Sequence, residues 1–184
     1  WKLSPEAGAL MVGPTANDGS WWSNTADDVV TRACYFDDQY VFNADGSFNN
    51  IQGTETWLEI WQGVDSDQCG TPVAPHDGSN AATYAYDAGT GSVTLTGVGA
   101  YLGLPKVYNG GEITAANADT SIASITYDIA LSGADNDTMT VSINFGPGYW
   151  TYKLVALPPA PDWAGTWKLS PEAGALMVGP TAND

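Results

Sequence analysis

The sequence predicts an all-β fold, either an antiparallel β-sandwich of jelly-roll type or a lipocalin-like barrel, with one domain per repeat of 166 residues. Three observations carry this expectation. Apolar and polar residues alternate with period 2 in many short runs, which puts one face of each strand in a core and the other in water. Clusters of Asn, Asp and Gly interrupt those runs at short intervals, as hairpin turns require. The 3.6-residue periodicity of an amphipathic helix is almost absent.

Taken in order, the opening segment Trp1–Asp18 contains Ala7-Gly8-Ala9-Leu10-Met11-Val12, apolar enough to be buried as a strand. Gly13 to Arg32 shows no clear period. Tyr40-Val41-Phe42, the turn Asn43-Ala44-Asp45-Gly46 and the return Ser47-Phe48-Asn49-Asn50-Ile51 read as a hairpin, because Gly after Asp tolerates the positive φ that a tight turn needs. Thr54 to Gln62 alternates, with Trp57, Glu59 and Trp61 on one face. Gly63 to Asn80 is a second long stretch without a period. Thr83–Tyr86 turns through Asp87–Gly91 into Ser92–Thr96. Ser124–Leu131 has Ile125, Tyr127, Ile129 and Leu131 in phase, and Thr138–Phe145 answers it with Met139, Val141, Ile143 and Phe145. Tyr149–Val155 is the last strand. Eight or more short antiparallel strands joined by turns are the pattern of a sandwich or a barrel.

The domain frame comes from an internal identity. Residues Trp1–Asp18 recur without change as Trp167–Asp184, a shift of 166 positions. That period is far beyond the 20–50 residues of a solenoid repeat, so each repeat is expected to be a whole domain. The sequence therefore divides into a β domain at 1–155, a Pro-rich linker at 156–166 (Ala156-Leu157-Pro158-Pro159-Ala160-Pro161-Asp162 onward), and the first segment of a following repeat at 167–184. A linker of that composition is extended and semi-rigid. No signal peptide is visible, and in a chain that opens on a repeat its absence carries no information.

Composition narrows the partners. With 5 basic and 21 acidic residues the formal charge is −16, which argues against nucleic acid and anionic membranes as partners. No apolar run is long enough to span a membrane as a helix. The two cysteines, Cys34 and Cys69, have neither CxxC spacing nor a histidine set for zinc, since His76 is the sole histidine. A disulfide between them is the expectation, and it points to an oxidising, extracellular or cell-surface setting.

Gly165-Thr166-Trp167-Lys168-Leu169 and the hairpin Tyr40–Phe48 resemble strand motifs of lipocalin-like β domains in secreted proteins of the Bacteroidetes type. The longer run Trp167–Leu176 is similar to Trp-Lys-Leu-type tandem-repeat β domains of large secreted or surface proteins of aquatic bacteria. The resemblance implies a setting, beside glycan-active or adhesive modules, and its motifs carry no chemistry of their own.

Four kinds of site can be weighed on the residues. Sugar-binding modules stack pyranose faces on aromatic planes, with polar groups at the rim. Trp21, Trp22, Trp57 and Trp61 are candidates for that role, with Asn24, Glu55, Glu59 and Gln62 as hydrogen-bonding neighbours. The competing reading is that these tryptophans fill the core, where Trp is usually well buried. Asp27, Asp28, Asp65 and Asp67 are oxygen-rich pairs suited to calcium, although Asp is also favoured in turns for backbone reasons alone. No other cofactor is implied, and without a nucleophile elbow, metal-ligand helix or phosphate loop an enzyme is not expected. Assembly is the fourth. Trp1, Leu3, Leu10, Val12, Tyr149, Trp150, Trp163, Trp167, Leu169 and Leu176 are candidates for a joint between neighbouring identical repeats. The repeated segment either begins its own sheet or completes that of a neighbour by strand addition. The expected function is thus a structural unit of an extracellular bacterial fibre or adhesin-like surface protein. A tandem carbohydrate-binding module is the alternative.

Overall fold

The computed structural model describes residues 1–158, so the candidate joint residues Trp163, Trp167, Leu169 and Leu176 lie outside the described residues. Strands β1 (Lys2–Leu3), β2 (Leu10–Gly13) and β3 (Trp22–Ser23) come first, followed by helices α1 (Ala26–Thr31) and α2 (Ala33–Phe36). The hairpin β4 (Gln39–Phe42) and β5 (Ser47–Ile51) forms where expected, with Gly46 at positive φ in its turn. Next come β6 (Thr56–Leu58), a 3-10 turn at Ile60–Gln62 and β7 (Gln68–Gly70). Strands β8 (Ala82–Asp87), β9 (Ser92–Thr96), β10 (Val107–Tyr108), β11 (Gly111–Glu112), β12 (Ser124–Ser132), β13 (Thr138–Asn144) and β14 (Tyr149–Val155) complete the unit.

The fold is all-β and antiparallel, as the sequence predicts. One large sheet runs β3-β2-β14-β13-β12-β9-β8-β5-β4, with β1 also paired to β14, and the pairs β6-β7 and β10-β11 stand beside it. The two ends of the large sheet meet. β1 pairs with β14 (Lys2 with Val155, Leu3 with Leu154), while the Trp1 nitrogen donates to the Tyr40 carbonyl (2.9 Å) and the Tyr40 N–H donates to the Trp1 carbonyl (2.8 Å). The path from β4 through β14 and β1 thus returns to β4. Of the two shapes the sequence leaves open, this is a barrel-like closure, which satisfies strand edges that would otherwise stay open.

Period-2 alternation decides what faces inward. Ile125 and Tyr127 of β12, Met139, Val141 and Ile143 of β13, and Tyr152 and Leu154 of β14 are buried in one core with Leu3, Leu10, Tyr40, Phe48, Val93 and Leu95. The polar residues between them on β12, namely Ser124, Thr126 and Asp128, are exposed. Fully burying one of the leucines contributes about 1.5–3 kcal/mol. A loop between β9 and β10 enters the same core: Ala100, Tyr101, Leu102 and Leu104 are buried there. Asn50 holds it by donating to the Tyr101 carbonyl (2.9 Å), and the Leu102 N–H donates to the Tyr127 hydroxyl (3.0 Å).

Two expectations need correction. The alternating run Thr54–Gln62 is not one strand. It stops at Leu58, because Glu59 caps the 3-10 turn through the reciprocal bonds of a capping box with Gln62. The stretch Gly13–Arg32 does contain a helix, started by a capping box in which Thr25 and Asp28 satisfy each other's backbone N–H groups.

The disulfide Cys34–Cys69 is present and joins α2 to β7 across 35 positions of sequence. Closing a loop of that size contributes about 3–4 kcal/mol in the chain-entropy account. Among the described residues no helix is long and apolar enough to cross a membrane.

Candidate functional site

Three of the four candidate glycan-binding tryptophans are linked through two charged side chains: Arg32 lies over Trp22 and Trp57, and Glu59 lines the same hollow as Trp22 and bonds Trp61. Trp22 arrives on β3, Trp57 on β6 and Trp61 on the 3-10 turn, and the buried Trp150 of β14 lies beneath Trp22, edge to face at 6.2 Å between ring centres. Two adjoining hollows, of about 140 and about 290 Å³, open here and share Glu59 and Lys106. Together they reach the lower end of the roughly 300–1,000 Å³ range of small-ligand sites. Trp21 stands apart from these hollows with half of its surface exposed.

The charged groups in this cleft are few and specifically placed. Arg32 follows α1, and its guanidinium carbon lies 4.7 Å from the Trp57 ring centre and 5.6 Å from that of Trp22. The guanidinium thus covers the faces of two aromatic planes, a cation–π arrangement. Lys106 donates to Glu59 Oε1 at 2.9 Å and stands 5.7 Å from the Trp150 ring centre. The other oxygen of Glu59 accepts from the Trp61 indole N–H at 2.9 Å, so this one carboxylate orients both a cation and an aromatic plane. Glu112 on β11 accepts from the Trp150 indole N–H at 2.7 Å. Trp61 meets His76 edge to face, with 5.4 Å between ring centres. Burial pushes the His76 pKa down to about 4, so this imidazole is neutral at physiological pH. Two of the five basic residues of a strongly acidic chain therefore lie in one aromatic cleft.

The other candidates fall elsewhere. Asn24 is buried and structural: its amide clamps the opening segment by accepting from the Leu10 N–H (2.8 Å) and donating to the Glu6 carbonyl (2.9 Å). Glu55 is exposed, and Gln62 is used in the cap of the 3-10 turn. Asp28 spends its oxygens on Thr25 and on Arg32, 3.7 Å away, while Asp67 accepts from the Ile60 N–H. Among the described residues no three His, Cys, Asp or Glu side chains gather in a way that could hold a metal ion, and the pairs Asp27-Asp28 and Asp65/Asp67 are no exception. Of the candidate joint residues, Leu3, Leu10, Val12 and Trp150 are buried within their own unit, and Trp1 and Tyr149 are half-buried. Arg32, Lys106, Glu112 and Trp150 are the cleft residues that residue type and spacing missed. Arg32, the Lys106–Glu112 segment and Trp150 come from three distant parts of the chain, and no local pattern links them.

No protein-family model matches the chain, and no curated protein or solved structure matches it significantly. The cleft must therefore be read on its own chemistry.

Proposed function

We propose that the chain is a structural repeat unit of an extracellular, adhesin-like surface protein, a folded bead joined to the next by the Pro-rich linker. The observation that carries this reading is the unchanged return of Trp1–Asp18 at Trp167–Asp184. The first copy builds β1 and β2, the strands that close its own unit. The same eighteen residues past a linker are the sequence with which a following unit of this kind would begin. The disulfide and the high acidic charge suit such a setting. Because Lys2 and Val155 are paired neighbours, the chain enters and leaves a unit at adjacent points. Units then project sideways from the connecting path and display whatever they carry at regular intervals. Single-molecule stretching of the natural protein tests this directly, since an array of like beads yields in equal steps.

A second reading, a carbohydrate-binding module, is favoured by the convergence of Trp22, Trp57, Trp61 and Trp150 around Arg32, Glu59 and Lys106. The two readings are compatible, because weak sites repeated along an array gain avidity without new contacts. Trp61 is the one of these four planes with neither Arg32 nor Lys106 over it. On a glycan array the protein should bind a restricted set of sugars, and Trp61→Ala should lower that binding about fivefold or more, the loss of about 1 kcal/mol or more that removing one aromatic face implies. Absence of binding to neutral and acidic glycans alike would remove this second reading and leave the first standing.

A further inference from the structure

The cleft continues past the two hollows that share Glu59 and Lys106. Trp61 also lines a third, of about 150 Å³, together with Gln62, Pro75 and His76. The three hollows form a connected series, with Glu59 and Lys106 between the first and second and Trp61 between the second and third. Their charges differ. The first is lined by Arg32 and Lys106 against the carboxylate of Glu59. The second is lined by Glu59, Asp67 and Glu112 against Lys106. Among the described residues the third has no charged side chain on its wall, since burial keeps His76 neutral. Arg32 is the least engaged of these charged groups. Its ion pair with Asp28 is long, at 3.7 Å, beyond hydrogen-bond reach, although its side chain is only 21% exposed. The rings of Trp57 and Trp22 hold the guanidinium in place. An arginine so placed keeps a planar fork of N–H donors for a ligand. Lys106, by contrast, already donates to Glu59.

We propose that the cleft takes an acidic oligosaccharide in which a charged sugar alternates with neutral ones, its carboxylate or sulfate seated on Arg32 in the first hollow and a neutral sugar in the second. The inference rests on the carbohydrate reading and gives it a substrate class. A carboxylate or a sulfate matches the guanidinium fork through paired, charge-assisted hydrogen bonds. The apolar walls given by Leu10, Leu104, Trp22 and Trp150 keep water from weakening that attraction. The second hollow selects against a further anion, because a homopolymer of acidic sugars would set a like charge among Glu59, Asp67 and Glu112. Trp61, between the second and third hollows, offers an aromatic plane to a neutral ring. The neutral imidazole of His76 has one nitrogen that donates and one that accepts, as a sugar hydroxyl requires. The formal charge of −16 sharpens the choice. Most of the surface repels an acidic glycan, so the place for its anion is where two of the five basic residues meet.

Titration calorimetry of the full chain with defined tetrasaccharides tests this. The probes are one alternating glucuronate with N-acetylglucosamine, one alternating galacturonate with rhamnose, a galactose tetrasaccharide sulfated on alternate residues, the uncharged methyl-ester or desulfated form of each, and tetragalacturonate. At least one alternating acidic probe should bind, at least about tenfold more tightly than its uncharged form, as a hydrogen-bonded charge pair implies. Whether that probe carries carboxylate or sulfate identifies the source of the charge. Tetragalacturonate should bind more weakly than the best alternating probe, and Arg32→Gln should abolish the preference for the charged form. Equal binding of charged and uncharged forms, binding of neutral glycans alone, tightest binding by tetragalacturonate, or a preference that survives in folded Arg32→Gln would overturn the inference and leave the carbohydrate reading standing. Binding of no glycan, acidic or neutral, would remove that reading as well. The comparison of charged with uncharged probes uses the parent protein, so a folding defect in Arg32→Gln cannot mask the result.

Discussion

Replacing Gly99 with alanine should destabilise the protein by about 4 kcal/mol or more, among the largest losses a single methyl group can cause. Gly99 has φ of +87°, which L side chains rarely adopt. The sharper constraint is space. A Cβ there would overlap the carbonyl oxygen and carbon of Pro75 and stand 3.3 Å from the His76 nitrogen, and all three are backbone atoms that no rotamer change can withdraw. Gly99 also begins the buried stretch Ala100–Leu104, so a shift to relieve the clash would pull Tyr101 from Asn50 and Leu102 from Tyr127. Gly46→Ala is the control, because Gly46 has a similar φ and open space around its Cα. It should lose only about 1 kcal/mol, the conformational component alone. Urea denaturation of the two variants separates the effects: comparable midpoints would show that the approach to Pro75 is relaxed without loss.

Asp38 should make stability fall as the pH rises from about 4 to about 8. Its carboxyl is buried, accepts one hydrogen bond from the Thr56 hydroxyl (2.6 Å), and has no hydrogen-bond partner at its other oxygen. Burial pushes its pKa up to about 8, against 3.8 for the free group, with the Thr56 bond pulling down and the charge of Asp37 pushing up. The sign follows from proton counting. Between those two values the folded state keeps a proton that the unfolded chain has lost, so raising the pH favours unfolding. The stabilisation is complete below pH 4, is withdrawn up to about pH 8, and amounts to at most about 6 kcal/mol. Burial lowers the pKa of His76, which acts in the opposite sense between about 4 and 6.5, so the comparison is made within a pair of proteins. Asp38→Asn keeps an acceptor for Thr56 and cannot ionise. Measured by denaturation from pH 4 to 9, the stability gained by Asp38→Asn relative to the parent should grow with pH and level off above 8. A constant difference would mean that Asp38 is already charged in the fold.

These two groups also show where sequence reading stops. The strands β12 and β13, with apolar residues at alternate positions, the last strand β14 and the Asp45-Gly46 hairpin form where their residues indicate, because each pattern is local and suits the pleat. The run through Trp57 and Trp61 misleads, since the end of β6 is decided by the Glu59–Gln62 cap and by Lys106, which lies far along the chain. The capping box at Thr25–Asp28 was present as a cue for α1, and only the shortness of the helix concealed it. Gly99–Leu104 carries no period that would place it inside a barrel, and its burial is a matter of which strands surround it. In the cleft, the tryptophans could be suspected from residue type, whereas Arg32 over Trp57 and Glu112 beneath Trp150 arise from tertiary contacts. The repeat made the opening segment conspicuous. That its partner is β14 of the same unit, with Lys2 set beside Val155, is a fact of topology.

The array reading is tested most directly by stretching single molecules of the natural protein, with the Cys34–Cys69 disulfide first intact and then reduced. A period of 166 residues extends to roughly 60 nm when unfolded, and the intact disulfide withholds roughly 12 nm of that across its 35 positions. The account predicts a series of equal steps, one per unit, each lengthened by that same amount on reduction. Steps of unequal size, a single step, or steps indifferent to reduction would contradict it.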